Sequence, residues 1–392
     1  MKELDIIKQG VDTIIGEEEL IEKLKQGKIL NVKLGLDPSA PDIHLGHTVV
    51  LRKAKQLQDL GHNVIIIIGD FTGRIGDPTG RSKTRKQLTN EEVKENAKTF
   101  CEQVFKVLDK NKTTVRFNSE WLGKMSFEDV INLAATTTVS QLLTRNDFSN
   151  RFNNNQPIGL HEFFYPLMQG FDSVAIDADI EIGGTDQTFN VCMGRTLQKQ
   201  NGKELPQTIL MMPIIEGLDG VQKMSKSLGN HIGINEEPEI MFKKCMEIPD
   251  NLIIRFCELV SAFNPDEIKE FKEKLENGEN PRNIKLILAK HIVELFHGKE
   301  NAEIAEKFFI DAFQKNKTPD NIPELKVNVS TFNELIPLLT ENNFSKSNSD
   351  TRRLLKQGGI KLNNETLIDA NMEIKNGDVI KLGKKVFVKI IN

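Results

Sequence analysis

The pattern of apolar and polar positions near the start of the chain predicts helices and buried strands in alternation. Apolar residues recur at helical spacing through residues 1–30 and predict a helix that ends at Gly27. Residues 31–37 and 63–69 form strand-like runs, the second apolar enough for burial on both faces, and residues 48–60 between them have the spacing of an amphipathic helix. This strand–helix–strand unit implies a parallel sheet with a nucleotide-binding crevice at the carboxyl ends of its strands.

The same criteria predict the later elements. They are strands at 113–118, 179–184 and 206–216, and helical segments at 126–143, 161–172 and 238–317. The Asn-rich, polar residues 145–156 predict an exposed loop.

Composition limits the class of protein. With 392 residues, 38% of them hydrophobic and 28% charged, the chain is too long for one core and too apolar for disorder, so we expect two or three domains. The longest apolar run, residues 64–68, is far too short to span a membrane, and the acidic, amphipathic N-terminus lacks a signal-peptide core, so we expect a cytoplasmic protein. The 4 cysteines are widely spaced, which predicts neither a zinc site nor a disulfide framework.

Charge is distributed unevenly. The whole chain carries −4, but from Lys326 onward 11 Lys and Arg residues against 7 Asp and Glu give +4, and the rest carries −8. A basic tail on an acidic body indicates a module that faces RNA.

Residues 223–227 read Lys-Met-Ser-Lys-Ser, and glycines at 217, 220 and 229 make the backbone around them permissive. Lys223 and Lys226 can close on a polyphosphate and neutralise charge as it develops. Alone, such a string is more often a solvated basic loop.

Residues 44–47 read His-Leu-Gly-His and lie between a predicted strand and a predicted helix. The glycine lets a ligand approach the backbone, the helix N-terminus favours negative charge, and the histidines can donate to phosphate and ribose oxygens. A helix cap or half of a metal site are alternatives for this motif alone.

Three further segments carry candidate binding groups. A glycine-rich loop at 70–80 contains Asp77, which can receive a ligand ammonium group, although turns alone explain its composition. Tyr165, Gln169 and Asp172 share one face of a helix, and such a polar stripe either meets solvent or lines a site. A glycine turn after residue 182 presents Asp186 and Gln187.

Taken together, 44–47 and 223–227 are the signature pair of class I aminoacyl-tRNA synthetases, and the chain resembles a tyrosyl-tRNA synthetase of the bacterial type, in its KMSKS-containing second subtype. The resemblance covers essentially the whole chain. It implies an α/β fold: a Rossmann-like nucleotide-binding catalytic domain with a parallel sheet, then a helical domain and a small α+β RNA-binding domain. The boundaries implied are a catalytic domain at 1–235 with an insertion at about 115–160, a helical anticodon-binding domain at 236–318, a linker at 319–330 and a ribosomal-protein-like RNA-binding domain at 331–392.

The resemblance also implies a reaction. Such an enzyme activates tyrosine with ATP to tyrosyl-adenylate and pyrophosphate, then transfers tyrosine to the 3′ end of its tRNA. The implied partners are tyrosine, ATP with Mg²⁺ and tRNA(Tyr), with no resident metal, tightly bound cofactor or membrane contact. A homodimer is expected from the resemblance and from the apolar segment 132–139.

Residue roles follow by matching motifs. The catalytic group around the departing pyrophosphate is His44, His47, Ser39, Lys223 and Lys226. The ATP contacts are Gly35, Asp37, Gly46, His47, Gly184, Asp186 and Lys226. The tyrosine contacts are Asp77, Tyr165, Gln169, Asp172 and Gln187, of which Asp172 receives the phenol. The tRNA contacts are Arg352, Arg353 and Lys356, on a basic helix of the C-terminal module. The alternative is that this module is a basic but inert cap domain.

The chain departs from the family pattern at three places. Lys33 stands where many relatives have a tyrosine that also meets the substrate hydroxyl, and Glu181 stands where many have glutamine. Many bacterial tyrosyl enzymes carry a Lys-Phe-Gly-Lys variant in place of residues 223–227. Specificity is therefore expected to depend on Asp172, and neither a second partner for the hydroxyl nor a role for Glu181 is assigned.

Three alternative functions remain open on the sequence. A tryptophanyl-tRNA synthetase is disfavoured by Asp172 and the basic C-terminal module. An ATP-dependent ligase of the same superfamily would not need residues 331–392. A non-catalytic RNA-binding protein would have eroded motifs, whereas here every charged catalytic position is filled.

Overall fold

The structure, a computed structural model, describes residues 2–37, 42–77, 89–311, 322–327, 329–363, 365–383 and 386–391. They group into two compact units: residues up to 237 together with 244–296, and residues 238–243 together with 297 onward. Within the described ranges, no helix is both long and apolar enough to cross a membrane.

The first unit is built on a six-stranded sheet. Its strands are β1 Thr13–Ile15, β2 Asn31–Leu36, β3 Asn63–Ile68, β4 Thr113–Phe117, β5 Ile180–Gly184 and β6 Thr208–Met212. They lie in the order β1-β6-β5-β2-β3-β4. β1 pairs antiparallel with β6, and the other neighbours pair parallel.

Fifteen α-helices lie between residues 2 and 297 of the described chain. They are α1 Lys2–Lys8, α2 Glu17–Lys25, α3 Leu45–Asp59, α4 Thr72–Ile75, α5 Asn90–Val104, α6 Ser119–Leu122, α7 Phe127–Ala134, α8 Val139–Leu142, α9 Asn146–Asn153, α10 Phe164–Ala175, α11 Thr188–Gln200, α12 Pro238–Met246, α13 Ile253–Leu259, α14 Pro265–Glu276 and α15 Pro281–His297. The predicted α/β fold, with helical segments after residue 238, is confirmed.

Strand register determines where the site lies. β2 and β3 pair along their whole lengths, from Asn31 opposite Asn63 to Leu36 opposite Ile68. β5 lies on the other side of β2, so the chain leaves the centre of the sheet in both directions. In open parallel sheets such a reversal opens a crevice at the carboxyl ends of the strands. The loops after β2, β3 and β5 therefore surround one crevice.

Three local expectations were wrong. Residues 1–30 do not form one helix: α1 and α2 are separated by β1, and Gly16 between β1 and α2 has φ 85°, in the left-handed region that interrupts a helix. The helical segment expected at 126–143 divides into α7 and α8. The predicted exposed loop at 145–156 contains α9, and two of its arginines are buried, each in an ion pair.

The second unit contains a five-stranded sheet with the order β7-β11-β10-β8-β9. Its elements after residue 297 are α16 Lys299–Phe309, β7 Glu324–Lys326, α17 Phe332–Glu341, α18 Asn348–Lys356, β8 Ile360–Leu362, β9 Glu365–Thr366, β10 Val379–Leu382 and β11 Val386–Ile391. Apolar side chains of α17 pack against Ile380 and Val388 of the sheet. β7 pairs parallel with β11, so the sheet begins inside the segment that was predicted to be a linker at 319–330.

Candidate active site

The His-Leu-Gly-His motif forms the first turn of α3. His44 is its N-cap: the Nδ1 atom of His44 accepts the Gly46 N–H at 3.2 Å, and Nδ1 of His47 accepts the His44 N–H at 3.3 Å. The two rings lie 3.9 Å apart between centroids. A Cβ on Gly46 would approach the His44 ring to 3.0 Å, which explains the glycine between the histidines. The helix-cap alternative is thus part of the geometry of the motif.

Both histidines are neutral at physiological pH. Burial, with His47, His231 and Lys223 nearby, lowers the pKa of His44 from 6.5 to about 2. Burial and Lys223 lower the pKa of His47 to about 4. Since each Nδ1 accepts a backbone N–H, the ring proton of each neutral histidine is on Nε2. The motif therefore presents two imidazole N–H donors without a charge of its own.

The Lys-Met-Ser-Lys-Ser loop adjoins the histidine motif. The residues just after the loop run antiparallel to the start of the histidine motif. The Leu45 N–H donates to the Ile232 carbonyl at 2.9 Å, and the Ile234 N–H donates to the Ile43 carbonyl at 3.1 Å. Met224 is buried, and its Cβ would lie 3.6 Å from a Cβ atom placed on Gly46. The two motifs, about 180 residues apart in sequence, form one surface.

The loop lysines are exposed and paired with acidic side chains. Lys223 Nζ lies 2.5 Å from Asp186 Oδ2, and Lys226 pairs with Asp42. Their side chains remain 55% and 49% exposed, so both ammonium groups can exchange these carboxylates for an incoming anion.

Asn230 anchors this loop, a role that the sequence analysis missed. Its Oδ1 accepts the Ser225 N–H at 2.8 Å, and its Nδ2 donates to Asp219 Oδ2 at 2.5 Å and to the Lys223 carbonyl at 3.2 Å. Asn230 is buried. Its place at the end of the glycine-flanked run was the only sequence signal.

A second group of polar side chains is buried along α10. The Tyr165 hydroxyl donates to Asp37 Oδ2 at 2.7 Å, and Thr72 Oγ1 donates to Asp37 Oδ1 at 2.8 Å. Burial, then Asp37, Asp77 and Asp172, raise the pKa of Tyr165 well above its ordinary value of 10.0, so its hydroxyl remains a donor. Asp37, predicted as an ATP contact, thus joins the end of β2 to the predicted tyrosine-binding helix.

Asp172 lies deeper on the same helix. Its Oδ1 accepts the Trp121 Nε1–H at 2.8 Å, and its Oδ2 lies 3.4 Å from Asn118 Nδ2. Burial raises the pKa of Asp172 from 3.8 to about 7, opposed by Lys33 and by these two donors. Trp121 and Asn118 were missed in the sequence, because their positions in and before a short helix carry no motif.

Lys33 and Glu181, the two departures from the family pattern, form an ion pair. They occupy opposing register positions on β2 and β5, and Lys33 Nζ lies 2.8 Å from Glu181 Oε1 with both side chains essentially inaccessible to solvent. Lys33 also donates to the Gln169 carbonyl and to Ser173 Oγ, each at 2.8 Å. Ser173 Oγ and Gln207 Nε2 donate to the second oxygen of Glu181 at 2.9 and 2.5 Å. This network holds α10 against the sheet on both sides of Asp172.

The remaining predicted residues divide between the crevice and the second unit. Gln187 Nε2 donates to Asp77 Oδ2 at 2.8 Å, which joins the loops after β5 and β3. Gly35 lies near the end of β2 and Gly184 at the end of β5. Ser39 lies outside the described residues. The exposed side chains of α18 include Arg352, Arg353 and Lys356.

Within the part of the chain that the structure describes, no group of three or more His, Cys, Asp or Glu side chains is placed to hold a metal ion. The four cysteines are free; Cys245 and Cys257 are buried, whereas Cys101 and Cys192 are partly exposed.

Residues 25–314 match the model of the family described as tRNA synthetases class I (W and Y). The chain belongs to this family. It is 56% identical to a protein of Carboxydothermus hydrogenoformans named tyrosine–tRNA ligase, over all of this chain and 98% of that protein. It is 54% identical to tyrosine–tRNA ligase 2 of Clostridium acetobutylicum, again over all of this chain and 98% of the relative.

Solved structures share the fold of this class I synthetase. A tyrosyl-tRNA synthetase of Archaeoglobus fulgidus complexed with L-tyrosine has a TM-score of 0.63 at 23% identity, over 78% of this chain and 99% of that one. A C-terminally truncated mitochondrial tyrosyl-tRNA synthetase of Coccidioides posadasii has a TM-score of 0.64 at 21% identity, over 78% and 90%. The resemblance read from the motifs of the class I synthetases is confirmed.

Proposed function

We propose that this chain is a tyrosine–tRNA ligase that forms tyrosyl-adenylate from tyrosine and ATP and then transfers tyrosine to the 3′ end of tRNA(Tyr). The observation that carries the proposal is the geometry of the crevice. Neutral histidines and exposed lysines lie together, and a buried carboxylate, Asp172, lies on α10, which Tyr165 joins to Asp37 after β2. The relatives named tyrosine–tRNA ligase, alike over the whole chain, favour tyrosine over tryptophan and an enzyme over a non-catalytic scaffold.

The phosphate end supports adenylate formation by electrostatics. The tyrosine carboxylate attacks the α-phosphorus of ATP, the bond to the bridging oxygen breaks, and pyrophosphate leaves with the negative charge. Lys223 and Lys226 neutralise that charge after leaving their carboxylate partners, and His44 and His47 donate from Nε2. Ser39 is proposed to assist at the pyrophosphate. No proton is taken from the nucleophile, because a carboxylate attacks as the anion.

The nucleotide is proposed to lie over the ends of β2 and β5. Gly35 and Gly46 allow the backbone to approach it, and Gly184 and Asp186 hold its ribose. Asp37 lies at the boundary between the nucleotide and the amino acid, since it already accepts from Tyr165. Mg²⁺ is proposed to enter with ATP and not as a resident ion.

The amino acid is proposed to lie along α10. Asp77, Tyr165 and Gln169 receive its ammonium group, and Gln187 lies near its carboxylate. Asp172 accepts the phenol O–H. Phenylalanine has no hydroxyl group, so Asp172 keeps only Trp121 and Asn118 as donors and loses a hydrogen bond to a charged, buried acceptor, which is worth about 1.5–3 kcal/mol.

Basic side chains of the second unit are the proposed tRNA contact. Arg352 and Lys356 lie one helical turn apart on α18 and are exposed. On the sheet, Lys361 and Lys381 are directly opposite each other, a like-charge pair that costs stability. A polyanion such as RNA relieves that repulsion, which is the reason for placing the contact here.

A homodimer is proposed through residues 127–160. Five large apolar side chains there are between 51% and 80% exposed: Phe127, Ile131, Val139, Phe152 and Leu160. Exposed apolar groups at this density indicate an interface. The apolar segment 132–139 was expected to form this surface, but Leu133 within it is buried. The cytoplasmic location stays a prediction.

Amino-acid-dependent exchange of pyrophosphate into ATP, without tRNA, tests the function. Tyrosine is expected to support exchange, and phenylalanine and tryptophan are expected not to. Exchange with tryptophan would assign the other activity of the family, and no exchange with any of the three would overturn the enzymatic proposal.

A further inference from the structure

Arg145 is a buried arginine just before α9, outside the residues to which the family motifs point. Its Nε and Nη2 donate to the two oxygens of Asp147 at 2.6 and 2.7 Å, and its guanidinium lies 4.2 Å from the centre of the Phe148 ring. Its third nitrogen, Nη1, donates to Asn190 Oδ1 at 3.0 Å. Asp147 balances the charge, so the Nη1 contact is an additional, directed hydrogen bond.

This contact begins a chain of hydrogen bonds that ends in the crevice. Asn190 is 1% exposed, and its Nδ2 donates to Gln187 Oε1 at 2.8 Å. Gln187 Nε2 in turn donates to Asp77 Oδ2 at 2.8 Å. Four side chains, from the residue before α9, from α11 and from the loops after β5 and β3, are therefore connected without interruption.

The chemistry of the two end groups allows this series of hydrogen bonds to run in only one direction, from Arg145 as donor to Asp77 as acceptor. A guanidinium has donors and no acceptor, and a carboxylate has acceptors and no donor. Each amide between them must turn its oxygen toward Arg145 and its NH₂ group toward Asp77. An amide has no such preference by itself, because its oxygen and nitrogen ends have nearly the same shape.

We propose that Arg145 is a positioning residue that, through Asn190, orients the Gln187 amide so that its NH₂ group holds Asp77 in place for the substrate ammonium group. The inference rests on the proposed function, and in particular on the roles of Asp77 and Gln187. It extends the tyrosine site to two residues, Arg145 and Asn190, that do not touch the substrate.

Asn190→Asp tests the donor–acceptor direction of these hydrogen bonds, and not only whether they are present. The new carboxylate still accepts from Arg145 and forms a further ion pair, so the fold is retained. It cannot donate to Gln187, whose single NH₂ group then lies between two carboxylates and is no longer directed to Asp77 alone. Tyrosine affinity, measured by calorimetry, is expected to fall about tenfold, with the KM for ATP unchanged. If Asn190 only supports the structure, Asn190→Asp will bind tyrosine as the unaltered chain does, and the proposal fails.

Arg145→Met has a matched control in the neighbouring helix α9. Arg151 is also buried, and it donates to both oxygens of Glu162 at 2.6 and 2.9 Å. Arg151→Met removes a comparable ion pair and is expected to lower Tm similarly, with little change in the KM for tyrosine. Arg145→Met is expected to raise that KM about tenfold, and combining it with Asn190→Asp should add little further. Equal tyrosine KM values for Arg145→Met and Arg151→Met would overturn the proposal.

Asp77→Asn separates the inference from the proposed function. If tyrosine binding survives Asp77→Asn, the assignment of Asp77 is wrong whatever Arg145 does. If Asp77→Asn abolishes binding while Asn190→Asp leaves it unchanged, the site is correct and the orienting chain is not.

Discussion

The two ends of the crevice use charged residues in opposite ways. At the phenol end, Lys33 and Glu181 are no more than 2% exposed and are held by Ser173 and Gln207. At the phosphate end, Lys226 and its partner Asp42 are 49% and 44% exposed. Both are single Lys–carboxylate pairs, yet only the first is surrounded by protein.

This difference separates specificity from catalysis. A buried pair is costly to disrupt, because removing one partner leaves a charge without solvent, so the groups around Asp172 keep one arrangement. An exposed pair contributes little, so a lysine can leave a carboxylate for a phosphate at small cost. In the proposed function, a fixed surface therefore recognises the amino acid, and movable charges neutralise the leaving group.

Disrupting the buried pair is expected to have the largest effect. Glu181→Leu leaves the Lys33 ammonium buried without its carboxylate, and should lower the free energy of unfolding by about 3–5 kcal/mol. Urea unfolding measures this. The double variant Lys33→Met/Glu181→Leu removes both charges and should recover most of the loss. A double variant less stable than Glu181→Leu would contradict the account of the network.

Removing a movable charge should leave the fold intact and slow the chemistry. Lys226→Ala is expected to lower the rate of adenylate formation about a hundredfold, because the ammonium group acts on charge that develops at the pyrophosphate. Tyrosine affinity should not change. Single-turnover kinetics and calorimetry separate the two quantities. An equal loss of tyrosine affinity would remove Lys226 from its proposed role.

The pH dependence of tyrosine binding should follow Asp172. With a pKa of about 7, the Asp172 carboxyl is mostly protonated at pH 6 and mostly ionised at pH 8. The ionised form has only acceptors and can receive the phenol O–H, whereas the protonated form carries an O–H donor of its own. The KM for tyrosine should therefore fall about tenfold between these pH values. Asp172→Asn should abolish the pH dependence of the KM for tyrosine and reduce the preference for tyrosine over phenylalanine. If the pH dependence persists in Asp172→Asn, another group causes it.

Folding stability should also depend on the ionisation of Asp172, but a rise in pH should weaken folding where it strengthens tyrosine binding. The folded-state pKa of Asp172 lies above 3.8, so the folded chain binds more protons between about pH 4 and 7. Its contribution thus favours folding at low pH and is lost as pH rises through 7. The difference in unfolding free energy between Asp172→Asn and the unaltered chain, measured at pH 5 and at pH 8, isolates this contribution.

The smallest effect is expected from Asp42→Asn. It releases Lys226 from an exposed partner that competes with phosphate, so the KM for ATP should fall about two- to threefold and urea stability should not change. Added salt should reduce the difference between the two proteins. An Asp42→Asn variant with a raised KM for ATP would show that Asp42 helps to bind the nucleotide and does not compete with it.

Local spacing predicted the parts of the molecule whose structure depends on neighbours in sequence. The β2–α3–β3 unit and the polar face of α10 were visible, because alternation and helical periodicity act over a few residues. The first 30 residues were misread for the opposite reason: β1 has three residues and is a strand only because it pairs with β6, about 200 residues away. Similarly, the Asn-rich, polar composition of residues 145–156 predicted an exposed loop, and only the fold supplies the partners that bury Arg145 and Arg151.

By itself, the sequence determined which chemical groups the protein has and, through two short motifs, the kind of reaction they serve. Only the tertiary structure decided how those groups are paired. Residues 33 and 181 each departed from the family pattern for no visible reason, and the parallel register of β2 and β5 makes them partners. Motifs are read along the chain, whereas a buried charge is stabilised by whatever the fold places beside it, and that neighbour can lie 148 residues away.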